Sequence, residues 1–475
     1  MRKALTVGAA TVLLTACTVG PEYERPETEL PDAWSEHDLF ADADARWDNW
    51  WAGFDDPTLA ELVERALDEN LDVLLQAQRV REAHARLGLA ESERMPTVDA
   101  QAEAMRERQP ATTSPFPDAA GTQNVFSISG VLGYEVDLWG RLERQREAAE
   151  AMLQESAFSR DAVRLNVAAD VVTTYVNLRA AEEQLAIVEE TVASRERVLE
   201  IEEVRYQEGD ADALAVRQAR SELATTRAQI PPLREQVLTL ESALAVLVGA
   251  RPGELLGALD FGDHSLRDLS LPETAPTEAP AEVLRRRPDI RAAEAGLIAS
   301  TAEIGVAEAN RLPRLSLSAL LGTSALDADN LFTGPSETWG LGASVAGPLF
   351  DFGRGSARVE TAEALRAQAE TQYDITVTTA FREVRDALVV YDTSGDRIDA
   401  LREQVEAVED TRAIAEIQYE EGLTGLLQLL DAERALLEAQ LGEVNAVRDR
   451  LNATATLFKA LGGGWGESAT DTEGG

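Results

Sequence analysis

Residues 419–437 read YEEGLTGLLQLLDAERALL, and residues 206–223 already read YQEGDADALAVRQARSEL. The two phrases stand 419 − 206 = 213 residues apart, a domain-sized spacing rather than that of a short solenoid repeat. The same shift carries Trp139-Gly140-Arg141 onto Phe352-Gly353-Arg354, Ala219 onto Ala432, and Val248-Gly249 onto Leu461-Gly462. Farther upstream a shift of 217 carries Met95-Pro96 onto Leu312-Pro313 and Leu71-Asp72 onto Pro288-Asp289. The chain is a tandem duplication whose halves differ slightly in loop length.

Each phrase closes a long helical stretch. Residues 141–208 contain neither Gly nor Pro and are dominated by Ala, Glu, Arg, Leu and Val, so one helix of about 100 Å is expected. Val171, Tyr175, Leu178, Leu185, Val188 and Val192 recur at a period near 3.5, and the 213 shift carries them onto Val384, Leu388, Tyr391, Ile398, Leu401 and Val405, all apolar. That predicts a coiled-coil seam present in both halves. Gly209 and Gly422 stop the helices, since glycine accepts the left-handed turn that ends them, and a return helix follows each, to Gly249 and Gly462. Pro231-Pro232 predicts a break in the first return helix that the second lacks.

Before each long helix lies a pair of alternating segments. PRLSLSALLG from Pro313, TWGLGASVAGPLFD from Thr338, TVDAQAEA from Thr97 and FSISGVLGYEV from Phe126 place apolar residues on one face and polar or small residues on the other. Strands of about ten residues with this pattern fit a transmembrane barrel whose polar face turns inward. QPATTSPFPDAAGTQ and DADNLFTGPS read as exposed turns between paired strands.

The N-terminus, MRKALTVGAATVLLTAC, has a short basic start and an apolar stretch too short to span a membrane. It ends at Cys17, the only cysteine, after Leu14-Thr15-Ala16, which resembles a bacterial lipobox; the expectation is lipidation at Cys17 and an outer-membrane address, because Thr18 replaces the aspartate that favours inner-membrane retention. A net charge of −41, with Lys3 and Lys459 the only lysines, argues against nucleic-acid binding and suits a surface screened by high salt. His37, His84 and His264 lie far apart and belong to no metal or nucleophile motif, so no enzyme, metal or cofactor is expected beyond the covalent lipid.

CTVGPEYERP after the lipobox, LRRRPDIRAAEAGL from Leu284, LFDFGRG from Leu349 and GLTGLLQLLDAER from Gly422 together resemble the TolC-type outer-membrane efflux proteins, in the OprM/NodT lipoprotein branch. The resemblance spans essentially the whole mature chain. It implies a mixed α/β membrane protein: a homotrimer in which each chain gives four strands to a twelve-stranded outer-membrane β-barrel continuous with a long periplasmic α-helical barrel. The function it implies is a passive conduit for small molecules, loaded by an inner-membrane RND-type pump through a periplasmic adaptor, with no nucleic-acid partner. Tyr206, Gly209, Tyr419 and Gly422 would mark the adaptor-docking hairpin tips. Leu427 and Asp431 match the family's leucine and aspartate rings, an apolar plug and an acidic ring at the periplasmic gate. The chain departs at Thr424 and Gln428, where TolC has an arginine and a further aspartate, and at Ala215, which replaces another aspartate, with Asp210 and Asp212 adding charge nearby. Closure is therefore expected to rest on the apolar ring and tip packing more than on ion pairs.

The expected organisation is a signal peptide at 1–16, a lipidated equatorial segment at 17–56, a first repeat at 57–249 with its β-hairpin near 96–137, and an equatorial linker at 250–280. A second repeat at 281–462, with its hairpin near 313–351, and a disordered tail at 463–475 complete it. Two other functions share parts of this pattern: a type I secretion duct for polypeptides, and a periplasmic coiled-coil tether. The tether leaves the two identically placed strand pairs without a role.

Overall fold

The computed structural model describes residues 18–27, 49–110, 121–254, 261–262, 264–271 and 286–463. The signal peptide, Cys17, His37, residues 111–120 of the first turn, most of the 250–280 linker and the tail from 464 lie outside the described residues. The elements run α1 (Pro57–Glu69), α2 (Leu71–Glu93), β1 (Thr97–Gln109), β2 (Gly121–Val136), α3 (Arg141–Glu208), α4 (Ala213–Arg227) and α5 (Ile230–Leu247). The second half follows with α6 (Pro288–Ala309), β3 (Arg314–Ala325), β4 (Glu337–Ala346), α7 (Arg354–Glu420) and α8 (Leu426–Ala460). No described helix is long and apolar enough to cross a membrane.

Contacts divide the chain into two compact units, and each unit draws on both halves of the duplication. The first comprises residues 1–27, 79–156 and 292–374. Its centre is one antiparallel sheet in the order β1-β2-β3-β4, in which the outer edges of β1 and β4 are unpaired among the described residues. Val98 opposes Leu132, Leu132 opposes Ala319, and Ala319 opposes Leu341, so one face carries an apolar row across all four strands. The next apolar row runs Ala100, Gly130, Leu321 and Trp339, while on the opposite face Gln101, Ser129, Gly322 and Thr338 line up. Val98, Leu321, Trp339, Leu341 and Val345 are all more than two-thirds exposed, so this apolar face lacks a covering layer within the chain.

The duplication reaches into the strand register. The pair Val98 and Leu132 becomes Leu315 and Val345 when the first residue is moved by 217 and the second by 213, and that pair is observed. Past β2, Gly140 turns the chain with φ +73, and the Trp139 indole donates to the Pro313 carbonyl at 2.8 Å. Its counterpart Phe352 is 89% exposed.

The second unit comprises residues 28–78, 157–291 and 375–475. Its core joins Trp50, Trp51 and Phe54 to Leu59, Val63, Tyr175, Leu178, Leu451, Leu457 and Phe458. Trp50 stacks on Phe458 with centroids 5.3 Å apart. Asp56 starts α1 by accepting from the N–H groups of Thr58 (2.8 Å) and Leu59 (3.1 Å), and its other oxygen accepts from the Tyr175 hydroxyl at 2.7 Å. Val171, Tyr175, Leu178 and Val188 are fully buried; of the duplicated seam positions Val384, Ile398 and Val405 are buried, while Leu388, Tyr391 and Leu401 are half-buried. The first return helix is interrupted between Arg227 and Ile230, with the prolines in the first turn of α5 where no intrahelical N–H is needed. α8 runs through the corresponding place without a break.

Candidate functional site

The tips of the two helical hairpins lie in the second unit, where α3 and α4 meet α7 and α8. Gly209 (φ +88) and Gly422 (φ +70) make the two turns. The N–H of the residue after each turn glycine reaches back: Asp210 donates to the Arg205 carbonyl at 2.8 Å, and Leu423 to the Gln418 carbonyl at 2.8 Å. Asp212 then caps α4 by accepting from the Ala215 N–H at 2.9 Å.

Val198 and Ala219 of the first hairpin pack with Tyr419, Leu426, Leu429 and Leu430 of the second in a small apolar cluster. Tyr419 is buried, and its hydroxyl donates to the buried Glu202 carboxylate across the seam. The Arg205 guanidinium lies 4.7 Å above the Tyr419 ring. Burial, then the Glu202 carboxylate, pushes the Tyr419 hydroxyl well above the ordinary tyrosine range, so it stays a donor.

Farther along the seam, Arg195 of α3 is buried, donates to the Thr226 hydroxyl, and lies 3.3 Å from Glu222 and 3.8 Å from Glu433. Burial lowers the Arg195 pKa and raises that of Glu433, while the two charges oppose both shifts. Arg434 of α8 reaches Glu222 of α4 at 3.0 Å and Asp431 at 2.8 Å. These ion pairs were not legible in the tip motifs, which pointed to closure without them; the i, i+3 spacing of Asp431 and Arg434 was the one local signal.

Leu427 and Asp431 share an exposed face of α8, one turn apart, while Leu426, Leu429 and Leu430 take the buried face. Arg434 extends the same face, so the Asp431 carboxylate carries a cation beside it. Tyr206 is 52% exposed, unlike its counterpart Tyr419. Among the described residues, no three His, Cys, Asp or Glu side chains gather as a metal site.

The sequence profile described as outer membrane efflux protein matches the chain twice, over residues 62–250 and 279–463. The two matches begin 279 − 62 = 217 and end 463 − 250 = 213 residues apart, the two shifts of the duplication. The toluene efflux pump outer membrane protein TtgF of Pseudomonas putida is 33% identical over 467 residues, covering 96% of each chain. Outer membrane protein OprJ of Pseudomonas aeruginosa is 33% identical over 476 residues, covering 98% of each. Among solved structures, the outer-membrane channel OprN superposes with a TM-score of 0.86 at 32% identity, over 94% of this chain and 100% of that one. The open state of the Neisseria gonorrhoeae MtrE outer membrane channel superposes with a TM-score of 0.84 at 26% identity, over 94% and 98%.

Proposed function

The chain belongs to the outer membrane efflux protein family, and on that premise we propose that it is the outer-membrane conduit of a tripartite efflux system. The four-stranded sheet carries this reading: it is apolar on one exposed face, polar or small on the other, and open at both edges. An open edge in lipid leaves backbone groups unpaired, at a cost of several kcal/mol each, so β1 and β4 need partners from other chains. Three chains close twelve strands around a polar lumen, continuous with a periplasmic helical barrel.

Cargo crosses without chemical change. The driving energy comes from an inner-membrane RND-type pump, coupled through a periplasmic adaptor that docks at the hairpin tips around Tyr206, Gly209, Tyr419 and Gly422. Leu427 and Asp431, on the exposed face of α8, form the periplasmic gate. Relatives named for toluene, solvent and antibiotic efflux support small organic molecules as cargo. Lipidation of Cys17 fits the segment after it: the Val19 N–H donates to the Trp139 carbonyl at 3.1 Å, which fastens the chain just past β2. Thr18 packs on Gly140, where a Cβ would fall 2.5 Å from its methyl group.

The test is reconstitution. Protein lacking its lipid should still require detergent and should give ion-conducting channels in planar bilayers; a soluble, non-conducting protein would make it a tether.

A further inference from the structure

At the base of the sheet the two repeats carry the same cations but not the same anions. In the first repeat Arg94 pairs with Glu143 at 2.7 Å, Arg141 with Glu135 at 3.0 Å, and Gln145 donates to Glu93 at 2.6 Å. The shifts of 217 and 213 carry Arg94 and Arg141 onto Arg311 and Arg354, and Gln145 onto a further arginine, Arg358. The three carboxylates are lost: Glu93 becomes Asn310, Glu135 becomes Pro348 and Glu143 becomes Ser356.

Arg311, Arg354 and Arg358 line one cavity of about 190 Å³ between the end of α6 and the start of α7, together with Asn310, Pro348 and Asp351. Among the described residues none of the three arginines makes an ion pair or a side-chain hydrogen bond. Asp351, the carboxylate in the lining, is taken up by the Gly353 and Gly355 N–H groups at 3.1 and 2.7 Å. The Arg311 stem lies against the first turn of α7, where a Cβ on Gly355 would fall 3.0 Å from Arg311 Cγ. Arg354 and Arg358 stand one turn apart on α7, a like-charge spacing that costs stability unless an anion lies between them. Asp and Glu outnumber Lys and Arg by 85 to 44 in this chain, so three neighbouring arginines left unmatched are a marked exception.

The strand register gives the face. Glu135 opposes Ser316 and Ser316 opposes Ser344, all on the polar side of the sheet. Gly347 continues past β4 against Pro313, where a Cβ would fall 2.7 Å from the Pro313 Cα. Alternation then carries Pro348 to the polar side, the side Glu135 takes in the first repeat. On the conduit reading proposed above, that side is the lumen, and the cavity opens onto the cargo path.

We propose that Arg311, Arg354 and Arg358 form an oxyanion-binding site at the base of the barrel, one per chain, which takes the carboxylate or phosphate group of anionic molecules passing through an otherwise acidic conduit. A guanidinium presents paired donors that match two oxygens of such a group. The cavity is below the roughly 300–1,000 Å³ of a pocket for a whole drug-sized ligand, so it holds the charged group while the rest of the molecule stays in the lumen.

The test is block of single-channel KCl current by inorganic phosphate in planar bilayers, read in a Leu427→Ala/Asp431→Ala parent so that the proposed gate does not set the current. Phosphate added at fixed ionic strength should reduce the current of the parent. Arg354→Gln/Arg358→Gln should raise the phosphate needed for half block by about tenfold, because charge-assisted hydrogen bonds are lost, and should lower chloride permeability relative to potassium. Asn310→Glu/Ser356→Glu restores two carboxylates of the first repeat while keeping every arginine; it should have the same effects and serves if the arginine variant does not assemble. Conducting channels whose phosphate block and permeability ratio are unchanged by both pairs of substitutions would overturn the site and leave the conduit standing. Intact trimers that conduct nothing, in wild type and parent alike, would instead overturn the conduit reading on which the site rests.

Discussion

Asn70 and Arg287 hold the same position in the two repeats, and each donates to the last helical carbonyl of its own return helix. Asn70 Nδ2 reaches the Leu247 carbonyl at 2.9 Å, and Arg287 Nη1 reaches the Ala460 carbonyl at 2.7 Å. The final carbonyls of a helix have no intrahelical partner, so both residues fill the same vacancy. They do so with different chemistry. Asn70 also caps α2 through the Asp72 N–H at 2.9 Å, while Arg287 pairs with Asp289 and Glu383, each at 2.7 Å.

Removing these side chains should therefore hurt unequally. Asn70→Ala removes a cap and one neutral hydrogen bond, about 1–2 kcal/mol. Arg287→Ala orphans the buried Ala460 carbonyl and removes a charged donor from two carboxylates that are more than a third exposed, about 2–3 kcal/mol. Thermal melting in detergent should rank Arg287→Ala below Asn70→Ala; the reverse order would remove the charged clamp from the account.

Asp56 holds α1 and Tyr175 together from a buried position. Asp56→Ala should cost about 2 kcal/mol or more, since it strips the helix cap and orphans the tyrosine hydroxyl. Tyr175→Phe should cost less, because the Asp56 cap remains. Equal melting temperatures for Asp56→Ala and wild type would show that the cap is dispensable.

The strand register of the complete barrel follows from the repeat. Leu132 opposes Ala319 within the chain, and the two shifts carry that pair onto Val345 of one copy and Ala102 of the next. In a background free of Cys17, Val345→Cys with Ala102→Cys should oxidise to covalent oligomers. Val345→Cys with Glu103→Cys points the thiols to opposite faces and should not cross-link. Cross-linking of the second pair alone would put the seam out of register.

Burial raises the carboxyl pKa of Glu155, Asp170, Glu303 and Glu433 above the ordinary range. A carboxyl whose folded pKa exceeds its unfolded value binds its proton more tightly in the folded chain. Stability from these groups therefore grows as pH falls toward about 4, and is lost as pH rises through the folded values. Repulsion from a net charge of −41 acts in the same direction and is screened by salt. Asp351, held low by the Gly355 and Gly353 N–H groups, acts oppositely but only below the ordinary carboxylate range. Melting temperature should rise from about pH 8 to about pH 5, and added salt should narrow the gap. A fall over that interval would contradict the burial argument.

Much of this was written in local patterns. A run without Gly or Pro marked α3 from Arg141 to Glu208, alternation marked the four strands, Gly209 and Gly422 marked the tips, and the proline pair marked the break after Arg227. These signals act within a few residues. The contacts across the hairpin seam do not: Arg434 finds Glu222 across 212 residues, and Tyr419 finds Glu202 across 217, through helix packing that no motif encodes. The two compact units also cross the repeat boundary, because equivalent pieces of both halves pack side by side rather than in sequence.

The central claim is a gated conduit, and the most direct measurement is single-channel conductance in planar bilayers of wild type beside Leu427→Ala/Asp431→Ala. The account predicts a small wild-type conductance that rises several-fold in the double variant, because the proposed apolar ring of Leu427 and acidic ring of Asp431 are removed. Conductance that is unchanged by the double substitution would contradict the gate at α8, and a folded trimer with no conductance in either form would contradict the conduit itself.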